Sequence, residues 1–227
     1  MFWQETTAQR GYVVPDDVVD VAFAISCRAL PVDHAWALSE AVMAVLPWLA
    51  EDPRAGVHTI HVADSGNGWM RPQAPDDLLY LSRRTRLVLR VPRERIDDTR
   101  VLSDQTLDVA GHGLQVGRGA VKLLSEVTTI FSRYIVAEDD NSESAFLEAM
   151  HAQLERMGIK PNKMLCGIER VVRTPDRHIR TRSLMLADLS VEESVRLQQQ
   201  GLGPLRQRGC GLFIPHKGIR EVHQAFD

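Results

Sequence analysis

The chain has 227 residues, 44% hydrophobic and 25% charged, with 27 Lys and Arg against 30 Asp and Glu. It reads as an ordinary globular protein able to bury a sizeable core in one large or two small domains. No apolar run reaches the roughly 18 residues a membrane span needs, and the N-terminus lacks the basic and apolar regions of a signal peptide, so a cytoplasmic protein with no membrane partner is expected.

The charge is not spread evenly. Residues 1–159 hold 15 Lys and Arg against 23 Asp and Glu, whereas residues 160–220 hold 12 against 5. The C-terminal third is therefore expected to meet an anionic partner. Cys27, Cys166 and Cys210 are far apart, with no CxxC spacing, and read as reduced thiols.

In chain order, "VVDVAFAISCRAL" (18–30) alternates Val19, Val21, Phe23 and Ile25 with smaller or polar neighbours, the period of a strand. "DHAWALSEAVMAVLPWL" (33–49) carries Trp36, Leu38, Val42, Val45 and Leu46 near helical spacing, with Asp33 placed to cap and Pro47 to break the helix. "GVHTIHVA" (56–63) reads as a strand, "SGNGW" (65–69) as a loop, and 78–82 and 85–92 as two more strands. A short helix over 92–102 and a hairpin turning at Gly111–Gly113 complete the first half.

The second half repeats the order. A strand over 128–137 precedes an amphipathic helix over 143–159 with Phe146, Met150, Leu154 and Met157 on one side. A strand pair follows around the turn at 175–177. Ser190 with Glu193 then forms a capping box for a helix stopped by Gly201, and "CGLFIP" (210–215) is the last strand. Two βαββαβ halves predict an α+β fold of two tandem ferredoxin-like domains, 1–124 and 125–227.

Between the last helix and the last strand lies "GLGPLRQRGCGLFIPHK" (201–217). Gly201, Gly203, Gly209 and Gly211 allow close backbone approach, and Arg206, Arg208 and Lys217 add charge. The combination suits a phosphate backbone; a turn that merely joins its neighbours is the plainer alternative. GxxxxGK[ST] and GxGxxG after a first strand are both missing, so nucleotide-triphosphate and dinucleotide cofactors are not expected. His58 and His61 are the only close histidine pair and no acidic or cysteine cluster joins them, so no metal is expected either.

The stretch 197–217 resembles the C-terminal glycine-rich loop of the CRISPR-associated endoribonucleases that cut precursor CRISPR RNA within its repeats, the sixth Cas protein family of the RAMP superfamily. "ALPVDHAWALSEAV" (29–42) is similar to that family's first helix, and the doubled ferredoxin-like plan matches end to end. The resemblance implies cofactor-free, metal-independent cleavage by a ribose 2′-hydroxyl, leaving a 2′,3′-cyclic phosphate. Repeat RNA is the implied partner, with other Cas proteins of an effector complex as further ones.

Such chemistry uses a base and an acid of near-neutral pKa and a cation near the phosphorane. By the family's pattern His58, after the first helix, is the expected base, with His34 at the start of that helix as the alternative; His61, three residues on, would point to the opposite face of a strand. Members commonly add a Tyr from the helix and a nearby Lys. Here the helix offers Trp36, and the first half's only lysine is Lys122, so an arginine is the expected cation, Arg54 being close to His58 in sequence and Arg83, Arg84 and Arg86 more distant candidates. Arg170, Arg173, Arg177, Arg180 and Arg182 recur across the hairpin 169–182 and suit an RNA stem or its flank, while Trp69 or Tyr80 could stack on a base. The competing function is a non-cleaving RNA-binding subunit of a CRISPR effector complex.

Overall fold

The structure is a computed structural model that describes residues 12–62, 74, 77–137 and 142–216. The chain runs β1 (Val18–Ser26), β2 (Ala29–Pro31), α1 (Ala35–Val45), β3 (Gly56–Val57), β4 (Leu78–Tyr80), β5 (Arg86–Pro92), β6 (Thr106–Val109) and β7 (His112–Lys122). It continues with β8 (Ile130–Val136), α2 (Glu143–Arg156), β9 (Lys163–Arg173), β10 (His178–Ala187), α3 (Val191–Gln200) and β11 (Ile214–Pro215).

Two antiparallel sheets carry the fold, ordered β3-β5-β1-β7-β6 and β11-β8-β10-β9, with β2 and β4 paired apart from them. Numbered within each half, both sheets place the fourth strand beside the first and the third between first and second. That is the split βαβ arrangement of two ferredoxin-like units.

Hydrophobic period explains what each element buries. Val19, Val21 and Phe23 of β1 and Leu87, Leu89 and Val91 of β5 join Leu38 and Val42 of α1 in one core. Phe146, Met150 and Leu154 of α2, Leu197 of α3 and Leu184 and Leu186 of β10 form a second core. α3 starts on the capping box, Ser190 Oγ accepting from the Glu193 amide and the Glu193 carboxylate from the Ser190 amide. The segment between the sheets is pinned by Gln198, whose side-chain amide accepts from the Ser125 N–H and donates to the Ser125 carbonyl.

Several elements differ from expectation for visible reasons. The first strand splits at Cys27, and the strand expected over 56–63 keeps only Gly56–Val57. Asp33 does not cap α1; its carboxylate accepts from the Arg173 N–H at 3.1 Å, and His34 takes the cap position. The short helix expected over 92–102 is two 3-10 stretches, Arg93–Arg95 and Asp97–Leu102. This charged run lacks an apolar stripe long enough to hold α-helical turns on the sheet. The last strand shrinks to Ile214–Pro215 because Gly209 and Gly211 take φ of +83° and +67°, which no strand accommodates. The SGNGW loop with Trp69, and Lys217, lie outside the described residues.

Candidate functional site

The two sheets meet along a seam built from three features: a buried arginine, the glycine-rich loop, and the start of α1. At its centre, the Arg90 guanidinium is fully buried. Its Nε and Nη2 donate to both oxygens of Asp20 at 2.9 and 3.0 Å, while Nη1 donates to the Gln198 and Phe213 carbonyls of the second unit at 2.8 and 3.0 Å. Burial opposes the Asp20 charge, but Arg90, with His58 beyond it, holds that carboxyl well below the usual carboxylate range.

His58, the expected base, is part of this buried group. Its residue is 8% exposed, its Nε2 lies 3.7 Å from Asp20 Oδ1, and among the described residues that nitrogen has no hydrogen-bond partner. Burial pushes the imidazole pKa down; the nearby Asp20 carboxylate raises it, and Arg90 and Arg206 lower it again. Little of this ring faces solvent, its side chain being 9% exposed. His34, the alternative, is 2% exposed, with Nδ1 2.7 Å from the Pro31 carbonyl and Nε2 accepting from the Ile60 N–H at 3.0 Å. Arg54 pairs with Glu94 at 2.6 Å and Asp52 at 3.4 Å.

The ring that sequence alternation set aside is the more exposed one. Because β3 ends at Val57, residues 58–61 are not strand, and the alternation argument for His61 does not apply. The His61 residue is partly exposed, its Nδ1 is buried, and its Nε2 lies 3.1 Å from Thr59 Oγ1. The strand-breaking signal is legible only in three dimensions, as Gly209 pressed against Thr59: a Cβ there would sit 2.7 Å from Thr59 Cγ2 and 3.1 Å from the Val57 carbonyl.

The glycine-rich loop turns inward. Gly211 lies against the Leu202 backbone, where a Cβ would come within 2.2 Å of the Leu202 carbonyl, and its N–H reaches the Tyr134 carbonyl at 2.7 Å. Gly201 ends α3, and Gly203 faces Ile135 with room to spare. Arg206 is buried, donating to the Gln200 carbonyl and, at 3.1 Å, to the Arg54 carbonyl; burial, with Arg90 nearby, lowers its pKa to about 10. Arg208 donates to Ser39 Oγ at 2.9 Å, pairs with Glu40, and lays its guanidinium 3.6 Å from the Trp36 ring centroid. Both arginines expected to meet phosphate are thus engaged with protein groups across the seam.

The arginine hairpin is open at Arg173, Arg177 and Arg180, while Arg182 is mostly covered. Register pairs Arg182 with Glu169, Arg180 with Val171 and His178 with Arg173, so Arg173, Arg180 and Arg182 share one face while Arg170, opposite Thr181, lies on the other. Arg177 is exposed in the turn. Glu169 partly neutralises the row, at 3.2 Å from Arg182 and 3.9 Å from Arg180. Tyr80 is 65% exposed on β4. Among the described residues no three His, Cys, Asp or Glu converge as a metal site.

The overall fold recurs in solved structures. A "CRISPR associated protein Cas6" superposes with a TM-score of 0.60 at 11% identity, covering 88% of this chain and 100% of that one. "An RAMP protein binding different RNA substrates" superposes with a TM-score of 0.54 at 16% identity, covering 88% and 98%. In sequence, the chain is 32% identical over 197 residues to the "CRISPR-associated endonuclease Cas6" of Myxococcus xanthus, across 87% of this chain and 81% of that protein. The family model "Cas6 Crispr" matches residues 19–218. The chain belongs to the Cas6 CRISPR family.

Two outcomes follow from the seam. The folded His58 ring binds its proton less readily than the unfolded one, so below about pH 6.5 the unfolded state takes up more protons. Stability is then full above that pH and declines as pH falls, and NMR should find the ring titrating below the ordinary histidine value; a ring titrating at the ordinary value contradicts its burial. Gly209→Val should lower the melting temperature strongly, because a branched side chain at φ +83° meets Thr59 and the Val57 carbonyl. A melting temperature within a degree or so of wild type would contradict the packed loop.

Proposed function

We propose that this protein is an endoribonuclease that cuts CRISPR repeat RNA without a metal ion. The observation that carries the reading is the 32% identity, across most of both chains, to a protein named as a CRISPR-associated endonuclease. The exposed arginine face of β9 and β10 supports it, since guanidinium groups repeating along a hairpin suit a phosphate track.

In this reading His61 is the base. It accepts the proton of the ribose 2′-hydroxyl as the 2′-oxygen bonds to phosphorus and the bond from phosphorus to the 5′-oxygen breaks; that oxygen leaves with a proton from a general acid. The products are a 2′,3′-cyclic phosphate and a 5′-hydroxyl. His61 is preferred over His58 and His34 because it is partly exposed, while the other two rings are buried. The same burial favours one second reading, a non-cleaving RNA-binding subunit.

Incubation with repeat RNA from the organism's own CRISPR array in excess EDTA separates the readings. Scission to a cyclic phosphate, lost in His61→Ala with RNA affinity retained, is the expected result; binding without scission in wild type would establish the subunit. The double substitution Arg180→Ala with Arg182→Ala should weaken RNA binding and reduce its salt dependence, each lost phosphate contact removing about 0.7 to 0.9 from the log–log slope. An unchanged slope would remove the hairpin from the interface.

A further inference from the structure

We infer that His34 is a positioning residue, a neutral strut that holds the main chain at Ile60 and thereby aims His61; this rests on the reading of His61 as the base. The hydrogen-bond directions fix its state. The Ile60 N–H can only donate, so His34 Nε2, 3.0 Å away, carries no proton; the Pro31 carbonyl can only accept, so Nδ1, 2.7 Å away, carries it. One tautomer satisfies both partners, and a proton added to Nε2 would face the Ile60 N–H. A base of the cleavage reaction must accept a proton, so this ring cannot serve as one without breaking the tie.

The strut acts on a segment whose side chains are packed, Ile60 lying in the first core, but whose main chain is no longer paired in the sheet. Beyond Val57 the segment has left the ladder; the His58 N–H still reaches the Val88 carbonyl at 3.0 Å, and the Ile60 N–H donates to His34. Thr59 rests on Gly209, and His61 faces Thr59 Oγ1. On the other side, Asp33, adjacent to His34, accepts from the Arg173 N–H of the arginine hairpin. The start of α1 is therefore anchored to the second unit and, through His34, sets the backbone leading to His61.

The test compares His34→Phe, which keeps a ring but no hydrogen bonds, with His34→Gln, whose amide can donate to Pro31 and accept from Ile60. Single-turnover cleavage of the repeat RNA should fall about 10- to 100-fold in His34→Phe with affinity unchanged, as expected for a misplaced group. The acid limb of the pH–rate profile should stay where it is in wild type, and His34→Gln should recover most of the rate. Hydrogen exchange at the Ile60 amide should quicken about tenfold or more in His34→Phe and not in His34→Gln. A His34→Gln protein as inactive as His34→Phe, or an acid limb lost in both, would overturn the inference and make His34 itself the titrating group. If His61→Ala cuts at the wild-type rate, the His61 reading fails while the exchange at Ile60 still reports whether the strut exists; unchanged exchange in His34→Phe would overturn the strut itself.

Discussion

The buried guanidinium of Arg90 is the constraint on which the remaining arrangement depends. A cation out of water is costly unless its donors are matched, and here the fork meets both oxygens of Asp20 within its own unit and two carbonyls, Gln198 and Phe213, of the other. Those carbonyls lie at the end of α3 and just before β11, on either side of the glycine-rich loop. One side chain thus registers the two sheets and fixes both ends of the loop that packs across them. His58 and Arg206 share the surroundings it creates, which is why burial and like charge lower the pKa of both.

This constraint explains the direction of the loop. Arg206, Gln207 and Arg208 reach the Arg54 carbonyl, the Asp52 carbonyl and the Ser39–Glu40 pair of the first unit. Gly209 and Gly211 provide the close backbone approaches that such packing requires. The glycines hold protein against protein, whereas Arg173 and Arg180 stand exposed on the hairpin face.

Much of the architecture was legible in the sequence because it rests on local rules. The period-2 run of β1, the 3.6 period of α2, and the Ser190–Glu193 box of α3 need only their own neighbours, and the doubled order of elements follows from them. What was not legible depends on contacts distant in the chain. Asp33 looks like a helix cap until Arg173, 140 residues later, takes its carboxylate. His58 looks like a strand-end histidine open to substrate until Asp20, Arg90 and Arg206 enclose it. Alternation set His61 aside, and it fails there because the strand stops at Val57 where Thr59 meets Gly209. A charge count could not distinguish arginines turned inward at 206 and 208 from those exposed on the hairpin.

The central claim is that the two ferredoxin-like units are held as one cooperative body by Arg90, and differential scanning calorimetry of wild type beside Arg90→Leu tests it most directly. Removing one partner of a buried charge pair costs about 3–5 kcal/mol. The account predicts a single wild-type transition whose calorimetric and van't Hoff enthalpies agree, and two separated transitions in Arg90→Leu. Two independent transitions in the wild type, or an unaltered single transition in Arg90→Leu, would contradict it.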